Sequence, residues 1–241
     1  METNHRYLVQ YMLRNGSVTL TKALSYCKNL PEPVEDFRGL KIMILEINRK
    51  IQKNSFKIVL TTCEVTSQEQ VVWLNLKNDD ISKFQIAYNP LELEYFHAIL
   101  QEILNSEDHR LLYVTVLNIT STLTAQFSRD SGQKVLTKWF KGGYYIQSGD
   151  FVYLGSRLIL EFTSYLKAHM PNQICPLCSE LAFTGQHCNA CGKLLHSHCI
   201  SNYLKTQKHC PSCNSLWTGS EHNRTSNQNG IDTIEAYVDE T

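Results

Sequence analysis

Apolar positions in the first third of the chain recur at helical spacing and then give way to β-rich runs. Residues 4–14 place Tyr7, Leu8, Tyr11 and Met12 on one helical face, and Asn15-Gly16 is a stop signal. Thr19 or Thr21 can cap a second, short helix running through Cys27. Pro31 and Pro33 break the chain. A longer helix follows, with Val34, Phe37, Leu40, Ile44, Ile47 and Ile51 on one face. Residues 56–63 are rich in β-branched side chains, and Val71-Val-Trp-Leu-Asn-Leu76 follows across the polar turn 66–70. Two such runs across a polar turn predict a hairpin.

The same order recurs. Leu91, Tyr95, Ile99, Leu100 and Ile103 mark a helix opened by Asn89-Pro90, a cap followed by a first-turn proline. Residues 111–116 predict a short strand, 121–127 a second helix and 131–141 a third. Val135, Leu136, Trp139 and Phe140 face inward on the third, and Gly142-Gly143 ends it. Residues 144–146 and 151–154 predict a hairpin about Gln147-Ser-Gly-Asp150. Ser156 is the expected cap of a last helix carrying Leu158, Ile159, Phe162, Tyr165 and Leu166. Three helices and then a hairpin is the element order of a winged helix. The expected architecture is therefore α+β and multidomain, with winged-helix domains at residues 1–80 and 85–168.

Pro171 begins a short linker to a cysteine-rich segment, residues 172–217. After Thr218 the chain is polar, with five acidic residues against one Arg. Residues 218–241 hold too little apolar surface to offset chain entropy, and a disordered acidic tail is expected there.

A length of 241 residues suits two or three domains. No apolar run approaches the ~20 residues of a membrane-spanning helix, and residues 1–5 lack the basic-then-apolar start of a signal peptide. A cytosolic or nuclear protein with no membrane partner is expected. Charge balances at 23 basic and 23 acidic residues, which excludes a surface coated in positive charge for nucleic acid. It leaves room for a local patch. Arg129, Lys134, Lys138 and Lys141 surround the third helix of the second unit, where DNA readers place a groove-binding helix. They are candidate nucleic-acid contacts; a solvated helix face is the competing reading, and the neutral overall charge favours it.

Seven of nine cysteines fall between 175 and 213. Cys27 and Cys63 stand alone and are expected to be small buried hydrophobes. The cluster runs Cys175-x2-Cys178, Cys188-x2-Cys191, His196-x2-Cys199 and Cys210-x2-Cys213. A structural zinc takes four thiolate or imidazole ligands tetrahedrally, so eight ligands imply two zinc ions. Sequential pairing would place the first four cysteines on one ion. Interleaved, cross-brace pairing puts Cys175, Cys178, His196 and Cys199 on the first and Cys188, Cys191, Cys210 and Cys213 on the second. The short gap between Cys191 and His196 favours interleaving. His196 has the ligand spacing; its neighbour His198 is the competitor, and His187 and His209 are expected exposed. Because all eight ligands are filled, the zinc would be structural rather than catalytic.

The ligand order of four cysteines, one histidine and three cysteines resembles RING variants and plant-homeodomain fingers. Lys208 stands where such a finger usually has Trp, while Cys175-Pro-Leu-Cys178 and Cys210-Pro-Ser-Cys213 are RING-like. Tandem winged helices followed by this finger resemble the non-SMC element 1 family, subunits of the SMC 5/6 complex (SMC for structural maintenance of chromosomes). The resemblance spans roughly residues 1–217 and is most specific at residues 188–199 and 210–213. It implies a nuclear, chromosome-associated subunit with a MAGE-type and a kleisin partner, acting in genome maintenance and DNA repair by recombination. It also implies a RING-type ubiquitin ligase that docks a ubiquitin-conjugating enzyme through Leu177 and the neighbourhood of Pro211, with no covalent catalytic residue of its own. Two positions depart from an active RING: Asn214 follows the last ligand where a basic residue is common, and no Trp lies between Cys199 and Cys210. A non-catalytic scaffold and a DNA-binding winged-helix protein are the competing functions.

Overall fold

The first unit opens with α1 (Thr3–Asn15), which buries Leu8 and Met12 together with Asn4 and His5. The computed structural model of the protein describes residues 2–77, 88–218 and 220–221. Gly16 ends α1 at φ +70°, and a Cβ there would meet the Gly142 carbonyl oxygen of the second unit at 2.5 Å. Both the backbone angle and the close approach demand glycine. β1 (Ser17–Thr19) follows; it is too short for its alternation to show in the sequence. Thr19 caps α2 (Leu20–Lys28), its Oγ1 accepting from the Lys22 N–H at 3.3 Å. Asp36 caps α3 (Phe37–Ile51) through Gly39 N–H at 2.7 Å.

On α3 the inward face is Leu40, Met43, Ile44, Ile47 and Ile51. Phe37 was expected on that face, but it occupies the first helical position and is 42 % exposed. Val34 lies before the helix and packs on the core from outside it. β2 (Phe56–Thr62) and β3 (Glu69–Asn75) pair antiparallel, and β1 adds to the far edge of β3, giving the order β1-β3-β2. The Asn48 side chain ties α3 to β2, donating to the Ile58 carbonyl at 2.7 Å and accepting from its N–H at 2.8 Å. Cys27 and Cys63 are buried, as expected, and burial pushes the Cys27 thiol up to about 11.

The second unit repeats the plan. α4 (Pro90–Asn105) starts in a capping box between Asn89 and Glu92. β4 (Arg110–Leu112), α5 (Tyr113–Asn118), α6 (Arg129–Gly142), β5 (Tyr145–Ser148) and β6 (Phe151–Leu154) follow, with the sheet order β4-β6-β5. Two expectations fail here. The strand expected at 111–116 stops at Leu112 and becomes α5, because Val116 must turn inward, where its carbonyl accepts from the buried Tyr95 hydroxyl at 2.9 Å. The helix expected at 121–127 does not form. Thr120, Ser121 and Thr122 instead donate to carbonyls three residues back at 2.7–2.9 Å and close the end of α5 in tight turns.

The last expected helix is two, α7 (Ser156–Glu161) and α8 (Thr163–His169). Ser156 is the first helical residue and not the cap, a position taken by Gly155. The break falls at Phe162, where the Thr163 hydroxyl bonds back to the Ile159 and Leu160 carbonyls. Phe96, Trp139 and Tyr145 centre the core, with both Trp139 and Tyr145 rings 5.1 Å from Phe96.

The two units meet through Glu161, whose side chain is 1 % exposed. Its Oε1 accepts from the Asn75 N–H of β3 at 2.8 Å and from Arg157 Nε at 3.0 Å. The boundary expected between residues 80 and 85 lies outside the described residues. So does most of the tail expected from 218 onward. No helix among the described residues is long and apolar enough to cross a membrane.

The cysteine-rich segment contains β7 (Gln186–His187), β8 (Leu194–Leu195), α9 (Ser197–Tyr203) and β9 (Ser220–Glu221), with sheet order β8-β7-β9. It is not a freely tethered bead. Leu181 and Phe183 are buried in the same cluster as Trp139 and Tyr145, and Ile174 packs against it. Sequence spacing shows these residues only as part of a linker and a first loop.

Candidate metal centre

Three of the four ligand pairs share one local fold. In each, the residue after the second cysteine donates to the carbonyl of the first: Ser179 to Cys175 at 2.9 Å, Gly192 to Cys188 at 2.8 Å and Asn214 to Cys210 at 3.0 Å. Those three residues have φ of 62°, 69° and 57°. The left-handed residue folds the chain back so that both thiols of a pair face one point. Gly and Asn adopt this conformation at low cost, which gives Asn214 a structural reason to follow the last cysteine. The fourth pair is different. His196 is the N-terminal flank of α9, and Cys199 follows on its first turn, so their two-residue spacing is helical and not a knuckle.

These elements gather the eight side chains into two groups. Cys175, Cys178, His196 and Cys199 bring one ligand atom each within 4.8 Å of one another, as do Cys188, Cys191, Cys210 and Cys213. The grouping is interleaved. His196 Nδ1 lies 3.3 Å from Cys178 Sγ and 3.8 Å from Cys199 Sγ. Cys188 and Cys213 approach at 3.8 Å, as do Cys191 and Cys210. His198 stacks on His196 with ring centroids 5.0 Å apart and lies outside both groups. His209 is exposed, whereas His187 is half-buried, its Nδ1 facing the Gly192 carbonyl at 3.2 Å.

The crowding splits the thiol acidities. Hydrogen bonds from the Ser215 side chain and backbone bring Cys213 down to about 6. The Lys193 N–H lowers Cys191, but burial and the thiols of Cys188, Cys213 and Cys210 outweigh it and push Cys191 up to about 12. Thiols in such mutual opposition are the donor set that a divalent, thiophilic cation relieves by taking all four as thiolates.

The imidazole supports the same fit. With Nδ1 turned to the thiols, Nε2 faces the Leu181 carbonyl at 2.8 Å and Glu64 Oε1 at 3.1 Å. Metal-ligating histidines donate their other ring N–H to such an acceptor. Glu64 belongs to the β2–β3 turn of the first unit. Nothing in its local sequence marks it, because its partner lies 132 residues further on. Gly185 is also required: a Cβ there would overlap the Leu195 carbonyl oxygen, closing off the β7–β8 approach.

Leu177 is half-buried and packs with Tyr203, Leu204 and Trp217 against Cys175, Ala182, Leu194, Leu195 and Ile200. Pro211 is half-buried in the last knuckle. Trp217 escaped the sequence reading because it falls after the last cysteine; an aromatic shortly beyond a final ligand was the available signal. On α6, Arg129, Lys134, Lys138 and Lys141 are all exposed. Arg129 donates to Asn118 Oδ1 at 2.7 Å and Lys134 pairs with Asp130 at 2.8 Å, so part of this charge is already engaged.

Residues 5–161 match the family model described as Nse1 non-SMC component of SMC5-6 complex, and residues 175–213 match a RING-like domain. The chain is 27 % identical over 184 residues to the non-structural maintenance of chromosomes element 1 homolog of Drosophila melanogaster, covering 75 % of this chain and 78 % of that one. It is 26 % identical over 222 residues to the Homo sapiens homolog, covering 88 % and 83 %. A chain of a solved structure described as Nse1-Nse3-Nse4 complex superposes with a TM-score of 0.75 at 22 % identity, covering 90 % of this chain and 97 % of that chain. That likeness is one of fold.

Proposed function

Since this chain belongs to the Nse1 family of non-SMC components of the SMC5-6 complex, we propose that it is a RING-type ubiquitin ligase subunit that works with a MAGE-type partner. Each of the two side-chain groups holds one zinc ion: Cys175, Cys178, His196 and Cys199 the first, Cys188, Cys191, Cys210 and Cys213 the second. Zinc supplies shape here and no reacting group. The observation that carries the reading is the position of Leu177. It stands half-buried on the interleaved module, packed like Trp217 against the module's buried cluster, with Pro211 half-buried in the last knuckle.

In this role Leu177 and Pro211 dock a ubiquitin-conjugating enzyme. A substrate lysine amine attacks the thioester carbonyl on that enzyme, and the enzyme's cysteine thiolate leaves. The module contributes orientation alone. The winged helices carry the module into a complex with a MAGE-type and a kleisin subunit, counterparts of the Nse3 and Nse4 named with the structural match. The setting is nuclear and chromosome-associated, in genome maintenance and recombinational repair.

Reconstituted ubiquitin-chain formation with the MAGE-type partner tests this reading. Leu177→Ala should lower chain formation about tenfold or more, the effect of losing ~1.4 kcal/mol of docking, with zinc content and partner binding unchanged. Activity that survives the substitution removes the docking role. No activity from the wild-type complex with any conjugating enzyme leaves the scaffold reading in its place. That second reading has its own support: Leu181 and Phe183 seat one side of the module in the winged-helix core, as an architectural element would require.

A further inference from the structure

We infer that Glu64, carried by the β2–β3 hairpin of the first winged-helix unit, is a positioning residue for the first metal group, orienting and strengthening His196 as a ligand. The inference rests on the zinc reading of that group. Glu64 follows buried Cys63 in a turn closed by Ser67 N–H to the Cys63 carbonyl and Cys63 N–H to the Gln68 carbonyl, both 2.9 Å. Its side chain is 9 % exposed. The Glu64 side of the turn therefore packs on the metal module, while residues 66–69 are exposed.

The two carboxylate oxygens have separate tasks. Oε2 accepts from the Phe183 and Thr184 N–H groups, each at 2.8 Å. Those contacts dock the hairpin onto the first loop of the module. Oε1 faces His196 Nε2 at 3.1 Å. A ligand that lends its Nδ1 lone pair must carry its proton on Nε2. A carboxylate accepting that proton's hydrogen bond fixes the ring's tautomer and orientation and makes the imidazole a stronger donor. Glu64 thus joins two regions 132 residues apart in sequence, and by linkage the first metal and the seated hairpin stabilise each other.

The Leu181 carbonyl also faces Nε2, at 2.8 Å, so His196 keeps an acceptor when Glu64 is changed. The expected effect is therefore at the low end of the ~10–100-fold typical of such outer partners. Glu64→Gln separates the two tasks. Its amide oxygen can still accept from Phe183 and Thr184, but its amide N–H groups then face the imidazole N–H.

The experiment uses the full chain. Native mass spectrometry counts zinc, and a chromophoric chelator then times its release. Cobalt substitution reads the three-thiolate-one-imidazole and four-thiolate sites by their separate absorption bands. In Glu64→Gln one of the two ions should leave about tenfold faster, with cobalt bands shifted at the imidazole site only. Hydrogen-exchange protection of the Phe183 and Thr184 amides should be unchanged. Release of both ions at wild-type rates overturns the inference. Faster loss from both sites, or loss of the 183–184 protection, reduces Glu64 to a docking residue and overturns it as well. A wild-type chain holding fewer than two zinc ions fails the zinc reading itself, and the inference with it.

Discussion

Around Phe96, Trp139 and Tyr145 the second winged-helix unit closes on a continuous apolar core drawn from α4, α6, β5 and β6. Among the described residues of the cysteine-rich segment, the buried part of its own cluster is smaller: Leu194, Leu195 and Ile200 with Ala182 and the ligand Cys175. Burying a large apolar side chain contributes ~1.5–3 kcal/mol, whereas a structural zinc site contributes ~10–16 kcal/mol. In the first region burial sets the fold; in the second, with zinc bound as proposed, the metal term is the larger one. The regions nonetheless share a boundary, because Leu181 and Phe183 lie in the winged-helix core and Glu64 of the first unit reaches the first metal group. A metal-held module seated this way has a defined orientation relative to the winged helices.

The largest expected break comes from inside the burial-held region. Trp139→Ala removes the largest fully buried side chain and should cost about 3–5 kcal/mol, read by urea unfolding of the full chain. The proposed zinc content of two should be unchanged, since Trp139 and the ligand Cys175 lie in separate clusters; a loss of metal would show that the two regions share one cooperative core. Phe183→Ala acts on the boundary itself. It should cost about 3 kcal/mol and should also speed exchange at the Glu64 turn, because the N–H of residue 183 is one of that carboxylate's partners. An effect confined to either region would contradict a shared seat.

Acid should act more gently, through His109. Its Nδ1 faces the Ile103 carbonyl at 3.4 Å, Gln173 Nε2 lies 2.8 Å from its Nε2, and its ring meets Phe183 edge-on at 5.4 Å. Burial, the largest cause, lowers its pKa against the opposing Ile103 hydrogen bond and the nearby Asp108 and Glu64. A folded pKa below the unfolded one means the contribution is complete above the unfolded value, near 6.5. It is lost as pH falls through the folded value. Exchange protection of residues 170–183 should therefore fall below pH 6.5. His109→Asn, which tolerates the φ of 50° there, should remove that part of the acid sensitivity. Identical acid profiles for the two chains would rule His109 out as its source.

How much of this was legible in the sequence follows from range. The ligand pairs announce themselves, because two-residue spacing is a local signal with one chemical use. Helices α3, α4 and α6 show in their apolar periodicity. Short elements such as β1 and α5 do not, since three to six residues carry no reliable period and Val116 is recruited by Tyr95 from another helix. Asn214 read as a departure from an active pattern, and its left-handed φ gives it a structural reason. Glu64, Leu181 and Phe183 were invisible as functional positions. Their meaning comes only from contacts with residues far along the chain, which neither propensity nor spacing encodes.

The central claim is that metal holds one region and apolar burial the other. Hydrogen exchange across the full chain, before and after zinc is stripped by a chelator, tests it most directly. Residues 184–218 should lose protection, while α1 to α6 keep theirs apart from local loosening at the Glu64 turn. Collapse of both regions together, or a cysteine-rich segment that stays protected without metal, would contradict it.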